Sequence, residues 1–314
     1  EVLQENIMVF VNEIARIVHG FVNKYQGAAN KNIGDAFLLV WKLEETDFVN
    51  QGSSFRIRSD SINAQNLAEL SLLSFMKVWG KLNSHPSMLK YRTHRLLNER
   101  MPGYTVKMGF GLHIGWAIEG AIGSSYKIDA SYLSPNVNIA SRLEAATKQY
   151  GVPLLLSGDL YDIMGSEVQS YCRHIDTVTV KGSQRPIELY TVDMNADRLG
   201  FDNKALSTSR EHSDRFKIKK FLTSGKRTPS DIISSSKAIK TMRLGFTAEF
   251  YNTFSTAINH YLKGDWIVAR AYFLKAKEIR PYDGPSETLL EVLAKYNHVA
   301  PSNWQGYRVL DEKC

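Results

Sequence analysis

Stretches with a helical hydrophobic period alternate with short apolar runs of strand length along this chain. That alternation limits it to folds in which helices cover a sheet. In residues 4–24, Ile7, Phe10, Val11, Ile14, Ile17, Val18, Phe21 and Val22 fall on one stripe, with Asn12, Glu13 and Arg16 opposite. Gly27 ends that helix, and the apolar run 36–41 behind Gly34 and Asp35 reads as a buried strand. Residues 44–64 are polar and read as a surface loop; 66–82 return to the helical period. Residues 105–116 read as a strand, and 117–122 as another short strand or a turn. Residues 137–150 read as a helix with Ile139, Leu143, Ala146 and Tyr150 on one face. A short strand at 152–157, a short helix at 158–164 and an antiparallel pair at 175–180 and 187–192 complete an α/β layout with a mixed sheet.

The character changes after Met194. Residues 195–245 are rich in Ser and Lys and weak in period, and read as a basic linker. Helical spacing returns over 248–262, 266–279 and 289–296, with Gly264-Asp265 in the first turn and Pro281 after the second helix. This 246–314 region resembles a single tetratricopeptide-like hairpin. One such unit cannot bury its own face, so it is expected to dock on the preceding domain or on a partner.

Composition narrows the class. The chain has 314 residues, 43% apolar and 23% charged, enough for two packed units. No run approaches the roughly 20 apolar residues of a membrane span. The formal charge of +7 is concentrated in part between Arg215 and Lys240, a stretch that is either a solvated surface or a contact for an acidic partner. The positive charge is not organised with interleaved aromatics at the spacing a stacking platform needs, so no nucleic-acid partner is expected. Cys172 and Cys314 form no metal-ligand pair and suggest a reducing, intracellular setting.

Two segments carry chemistry. In the first, 31–35, Asp35 follows Gly34 in a tight turn, where it either offers a hard cation an oxygen ligand or caps its own turn. In the second, Gly111, Gly115, Gly120 and Gly123 imply close backbone approach or a tight hairpin, and His113 is expected to pack on the sheet. Asn138 and Arg142 are four apart and share a helix face; Arg142 either meets a phosphate with its fork of donors or pairs with an acid such as Glu144.

Together the Ile33-Gly34-Asp35 turn and the run Val137-Asn138-Ile139-Ala140-Ser141-Arg142 resemble the class III adenylate and guanylate cyclases over about residues 1–194. The stretch Asp129 to Glu144 is similar to a protist branch of that family, many of whose members are fused to membrane or channel modules. The 266–306 region resembles the helical tail of that branch. The resemblance implies a ferredoxin-like α+β cyclase fold with a mostly antiparallel mixed sheet. Asp35 would be the second of two metal aspartates. Lys31 and Ser131 would read the purine, with Asp129 competing for the latter role. Asn138 would orient the ribose and Arg142 would stabilise the transferring phosphoryl group. Lys181 would bind phosphate, with Ser183 competing for that position.

Lys31 with Ser131 favours ATP over GTP. The implied reaction is ATP to cyclic AMP and pyrophosphate, with two Mg2+ (or Mn2+) per complete site. The implied partner is a second cyclase domain, as homodimer or heterodimer. The family's first metal aspartate lies on a strand upstream of Asp35 that this sequence does not include. The expectation is therefore a longer protein that carries that strand upstream, attached to a membrane, a cilium or a larger assembly through further segments. The alternative is a catalytically inactive scaffold or regulatory subunit.

Overall fold

The computed structural model describes residues 2–51, 54–181, 183, 185–202 and 208–310. Helix α1 (Asn6–Lys24) leads into the hairpin of β1 (Ala28–Ile33) and β2 (Ala36–Val40). A second hairpin, β3 (Phe48–Gln51) and β4 (Ser54–Ile57), precedes α2 (Ile62–Leu82). Short helices α3 (Pro86–Leu89) and α4 (Arg95–Arg100) lead to β5 (Phe110–Leu112). A third hairpin, β6 (Ile118–Ser124) and β7 (Lys127–Leu133), runs into α5 (Pro135–Tyr150). Then come β8 (Leu154–Ser157), α6 (Gly158–Tyr161), α7 (Ser166–Gln169), β9 (Cys172–Thr179) and β10 (Ile187–Val192). Helices α8 (Thr208–Thr223), α9 (Pro229–Ser235) and α10 (Lys237–Met242) follow. The tail comprises α11 (Ala248–Lys263), α12 (Trp266–Ile279), α13 (Gly284–Lys295) and the short strand β11 (Arg308–Val309).

The central sheet has the order β11-β9-β10-β8-β5. The β5/β8 and β9/β11 pairs are parallel; the β8/β10 and β9/β10 pairs are antiparallel. Successive residues on a strand face opposite sides, and β8 shows the consequence. Its four residues are all buried. Leu154 and Leu156 enter a core with Ile17, Val18 and Val22 of α1 and Leu70, Leu73 and Met76 of α2. Leu155 enters the opposite core with Leu143 and Tyr150 of α5 and with Phe254, Tyr261 and Leu289 of the tail. The fold is thus α+β, three layers deep, with the tail built into the layer that also holds α5.

The structure departs from the sequence reading in several places. The expected loop at 44–64 contains the β3–β4 hairpin, whose polar sequence masks its strand pairing. Strand β2 is only half-buried, because among the described residues it pairs with β1 alone. Of residues 105–116 only Phe110–Leu112 is a strand, and β7 was not anticipated. The expected linker holds three helices. Their period is weak because each buries few apolar side chains: Ile218 from α8, Ile233 from α9, Ile239 and Met242 from α10. Local chemistry compensates. A capping box of Thr228 and Asp231 starts α9, and Arg215 donates to the carbonyls of Asn23 (2.6 Å) and Gly27 (2.9 Å) at the end of α1. Among the described residues no helix is long and apolar enough to cross a membrane.

Candidate active site

Helix α5 carries Asn138 and Arg142, and its seat is defined by glycine. A β-carbon on Gly111 would drive into the carbonyl of Ala140 and the amide of Glu144. One on Gly109 would strike Thr147 and Glu144, and one on Gly115 would strike Asn136. These glycines let the helix lie directly against the β5 backbone. The glycine pattern is therefore first a helix seat, while Gly123, at φ 156°, belongs to the β6–β7 hairpin.

The start of α5 is fixed by a polar relay. Ser134 caps it by accepting from the Asn136 amide and donates to the Trp116 carbonyl at 2.5 Å. The Asn136 amide group also donates to that carbonyl, at 2.9 Å, and its oxygen meets His113 Nε2 at 3.2 Å. A carboxamide oxygen only accepts, so the His113 proton sits on Nε2 and Nδ1 accepts from the Ser157 hydroxyl, 2.8 Å away. Burial holds the imidazole below its ordinary pKa, against the opposing pull of the Asn136 hydrogen bond. His113 packs on the sheet as a neutral brace between β5, β8 and α5.

The other candidates sit on hairpins. Lys31 is on β1, Asp35 in the β1–β2 turn and Ser131 on β7. The β1–β2 register shifts between Ala29 and Lys31, which bulges Asn30. The Asn30 side chain reaches the Ala130 carbonyl at 3.4 Å, so the neighbours of Lys31 and Ser131 touch. A second tie runs from Lys42, beyond β2, to Glu119 on β6, which also accepts from Tyr132 at 2.9 Å. Ser131 is 5% exposed, whereas Asp129 is exposed and pairs with Lys127 at 3.1 Å. Lys181 is exposed in the β9–β10 turn, and Ser183 is occupied with the Val180 backbone there.

A divalent ion finds only part of a ligand set in this chain. Asp35 is an exposed carboxylate, and no group of three His, Cys, Asp or Glu side chains among the described residues could hold a metal. Magnesium accepts one or two carboxylates when substrate phosphates and water complete its shell. Asp35 fits as one ligand.

The sequence match that decides the family covers residues 3–194: it is the adenylate and guanylate cyclase catalytic domain. This chain belongs to that family. The cyclase domain accounts for all three layers up to β10, and relatives agree. An adenylate cyclase of Anabaena cylindrica is 27% identical over 187 residues, 59% of this chain and 32% of its own length. The terminal-differentiation specific adenylate cyclase of Dictyostelium discoideum is 23% identical over 195 residues, 61% of this chain and 8% of its own. This chain thus spans about a third or less of the relatives' lengths. Superposition on a bacterial light-regulated adenylyl cyclase gives a TM-score of 0.43 at 22% identity, covering 69% of this chain and 50% of that one. On CyaB from P. aeruginosa it gives 0.39 at 20%, covering 65% and 86%. The family assignment rests on the sequence match.

Several groups that shape the cyclase site gave no sequence signal of their own: Gly109, Asn136, Ser157 and the bulged Asn30. Each acts through tertiary placement. The bulge in particular is a register property that no single residue encodes.

Proposed function

We propose that this chain is the catalytic region of an adenylate cyclase that converts ATP to cyclic AMP and pyrophosphate on the intracellular side, with a second cyclase domain completing each site. The observation that carries this reading is the approach of β1 to β7, because it puts Lys31 and the buried Ser131 on touching strands. Lys31 can donate to a ring nitrogen of adenine, and Ser131 offers a hydroxyl that donates or accepts. Asn138 orients the ribose. Arg142 lies one turn further along α5, where its guanidinium meets charge as it develops on the α-phosphoryl group. Lys181 contributes a cation for the leaving pyrophosphate.

Asp35 supplies one ligand for a divalent ion, which when bound adds Lewis acidity at the triphosphate and the 3′-hydroxyl. In the reaction the ribose 3′-oxygen bonds to the α-phosphorus and the bond to the pyrophosphate oxygen breaks. The partner domain is supported by the β6–β7 hairpin. Ile118, Ile122 and Leu133 share one of its faces and are all exposed, and Tyr126 at its tip is 97% exposed. A second copy of this chain and another cyclase domain are both compatible with that face.

The test is a paired assay of the intact protein with ATP and GTP in Mg2+ and in Mn2+, beside Arg142→Ala. Cyclic AMP from ATP, lowered on the order of 100-fold by the substitution, is the expected result. A preference for GTP would overturn the substrate assignment. Absence of both cyclic nucleotides would overturn the enzyme reading and favour a scaffold role.

A further inference from the structure

The C-terminal end of α5 is held by residues that lie far along the chain. Tyr150, the last residue of α5, is fully buried and donates to Asp176 Oδ2 on β9 at 2.6 Å. Burial pushes its phenol well above the ordinary pKa, with the Asp176 charge adding to the effect, so the hydroxyl keeps its proton. Arg308 completes a triangle. Its Nε donates to the same Asp176 oxygen at 2.9 Å and its Nη2 donates to the Tyr150 hydroxyl at 2.8 Å. Asp176 spends its other oxygen on the amide of Thr177, at 2.8 Å. All three side chains are largely or wholly out of water, so the pair cannot be exchanged for hydration without cost.

Arg308 reaches this point on a braced segment. Trp304 donates to the Leu262 carbonyl at 3.0 Å and packs edge-on against Trp266, 5.0 Å between ring centres. Beyond it, Arg308 and Val309 pair in parallel with Val178 and Thr179 at the sheet edge. Helix α13 grips the same turn of α5 from another side. Thr288 donates to the Gln149 carbonyl at 2.9 Å, and Gly284 lies so close to the Tyr150 carbonyl that a β-carbon there would collide with it. The other end of α5 is fixed by the His113, Asn136 and Ser134 relay.

We propose that Arg308 is a positioning residue for cyclisation: through Tyr150 and Asp176 it fixes the axial position of α5, and hence where Asn138 and Arg142 meet the nucleotide. The proposal rests on the cyclase reading for the roles of Asn138 and Arg142. Arg142 lies eight residues before Tyr150, about 12 Å along the helix axis. A shift at the end of a rigid helix is carried along it toward that guanidinium, and a misplacement of about 1 Å can cost about 100-fold in rate. Lys31 and Ser131 sit on hairpins that Arg308 does not touch, so the effect falls on turnover rather than on nucleotide binding.

The experiment measures kcat and KM for ATP per folded molecule, together with amide hydrogen exchange over 135–150, in the parent, Arg308→Ala, Arg308→Lys and Tyr150→Phe. Arg308→Ala is expected to lower kcat about tenfold or more with KM within about twofold, as for an interaction that acts only in the transition state. Exchange in the last turn of α5 rises in parallel. Arg308→Lys keeps the charge on Asp176 and recovers part of the loss. Tyr150→Phe keeps the buried ring and lowers kcat in the same direction. Should Arg308→Ala fail to fold, the lysine and phenylalanine variants carry the test. Unchanged kcat per folded molecule with unchanged exchange on α5 would overturn the proposal and leave Arg308 as a fastener of the tail. A parent that makes no cyclic nucleotide would overturn the cyclase reading and with it the role in cyclisation, and exchange on α5 would separately show whether Arg308 fixes the helix.

Discussion

The candidate active-site residues fall in two regions built to opposite standards. Asn138 and Arg142 sit on a helix that is capped, seated on glycines and fastened at its far end by buried ion pairs. Lys31, Asp35 and Ser131 sit on hairpins that, among the described residues, form separate two-stranded sheets. A lone hairpin is marginal in water; β1–β2 leans Phe37 and Leu39 on the core beside α1, while its ties to β6–β7 are few and exposed. The groups assigned to developing phosphoryl charge are thus on the rigid side, where a fixed dipole or cation is most effective. The groups assigned to base and metal are on the side that a second domain would cover. In the proposed reading the chain itself finishes one half of its site and a second domain completes the other.

The rigid side has a second buried ionic cluster, and its loss is the largest effect expected. Arg173 on β9 meets Asp193 at 2.6 Å and Asp283, the N-cap of α13, at 2.7 Å, with every partner at most 6% exposed. Its guanidinium also lies 4.2 Å from the Phe254 ring centre on α11. Removing one member of a buried pair costs about 3–5 kcal/mol, because the remaining charge stays buried without a partner. Arg173→Ala leaves two such carboxylates. Urea unfolding should show a loss in that range, in one transition shared by the sheet and the tail. Two separate transitions, with the sheet unaffected, would break the picture of a tail integrated with the catalytic layer.

A smaller effect tests the brace at the other end of α5. His113 titrates below its ordinary value of 6.5 because of burial, so the unfolded chain takes the proton first as pH falls. Stability tied to His113 is complete above about pH 6.5 and declines as pH drops through that value toward the folded pKa. The slope contributed by this one proton is at most about 1.4 kcal/mol per pH unit. The measurement is thermal stability from pH 7.5 to 5.0 for the parent and for His113→Gln. The variant should be less stable at neutral pH and show a shallower decline. His19, His85 and His174 are lowered by burial in the same way, so part of the slope remains in the variant. An identical slope in both proteins would show that the brace is open to solvent.

This contrast also explains what could be read from the sequence. The rigid elements announced themselves. The stripe of α1, the helix 137–150, the strand 187–192 and the tail helix 266–279 all follow hydrophobic periods that burial enforces, and the structure places them within a few residues of those limits. The family resemblance rested on the same rigid helix together with the short turn at Gly34-Asp35. The hairpins were harder. β7 is mostly exposed and β3–β4 is short and mixed in polarity, so no alternation marks a buried face, and pairing defines them. Helices α8 to α10 were read as linker because capping and a handful of apolar contacts hold them. The fastening of α5 was not legible at all: Tyr150, Asp176 and Arg308 span 158 positions and become a unit only when the tail folds back.

The smallest effect on the isolated chain, and the sharpest test of the contrast, lies on the β6–β7 hairpin. Ile118 pairs with Leu133 in register, and Ile122 lies on the same face four residues along; all three are exposed. Ile118 faces Leu133 and is 62% exposed, so Ile118→Asp gives up little packing within the chain and should change unfolding free energy by no more than about 0.5 kcal/mol. If a second cyclase domain covers this face, the same substitution buries a carboxylate without a partner in the assembly. Self-association measured by sedimentation should weaken, and cyclic AMP formation per chain should fall with dilution more steeply than in the parent. Activity restored at high protein concentration would show that the altered step is assembly rather than chemistry. A stability loss of several kcal/mol would mean that the hairpin is part of the chain's own core, and the division into a finished and an unfinished half would have to be abandoned. An unchanged association with unchanged activity would instead move the partner's contact to another face while leaving the rigid half as described.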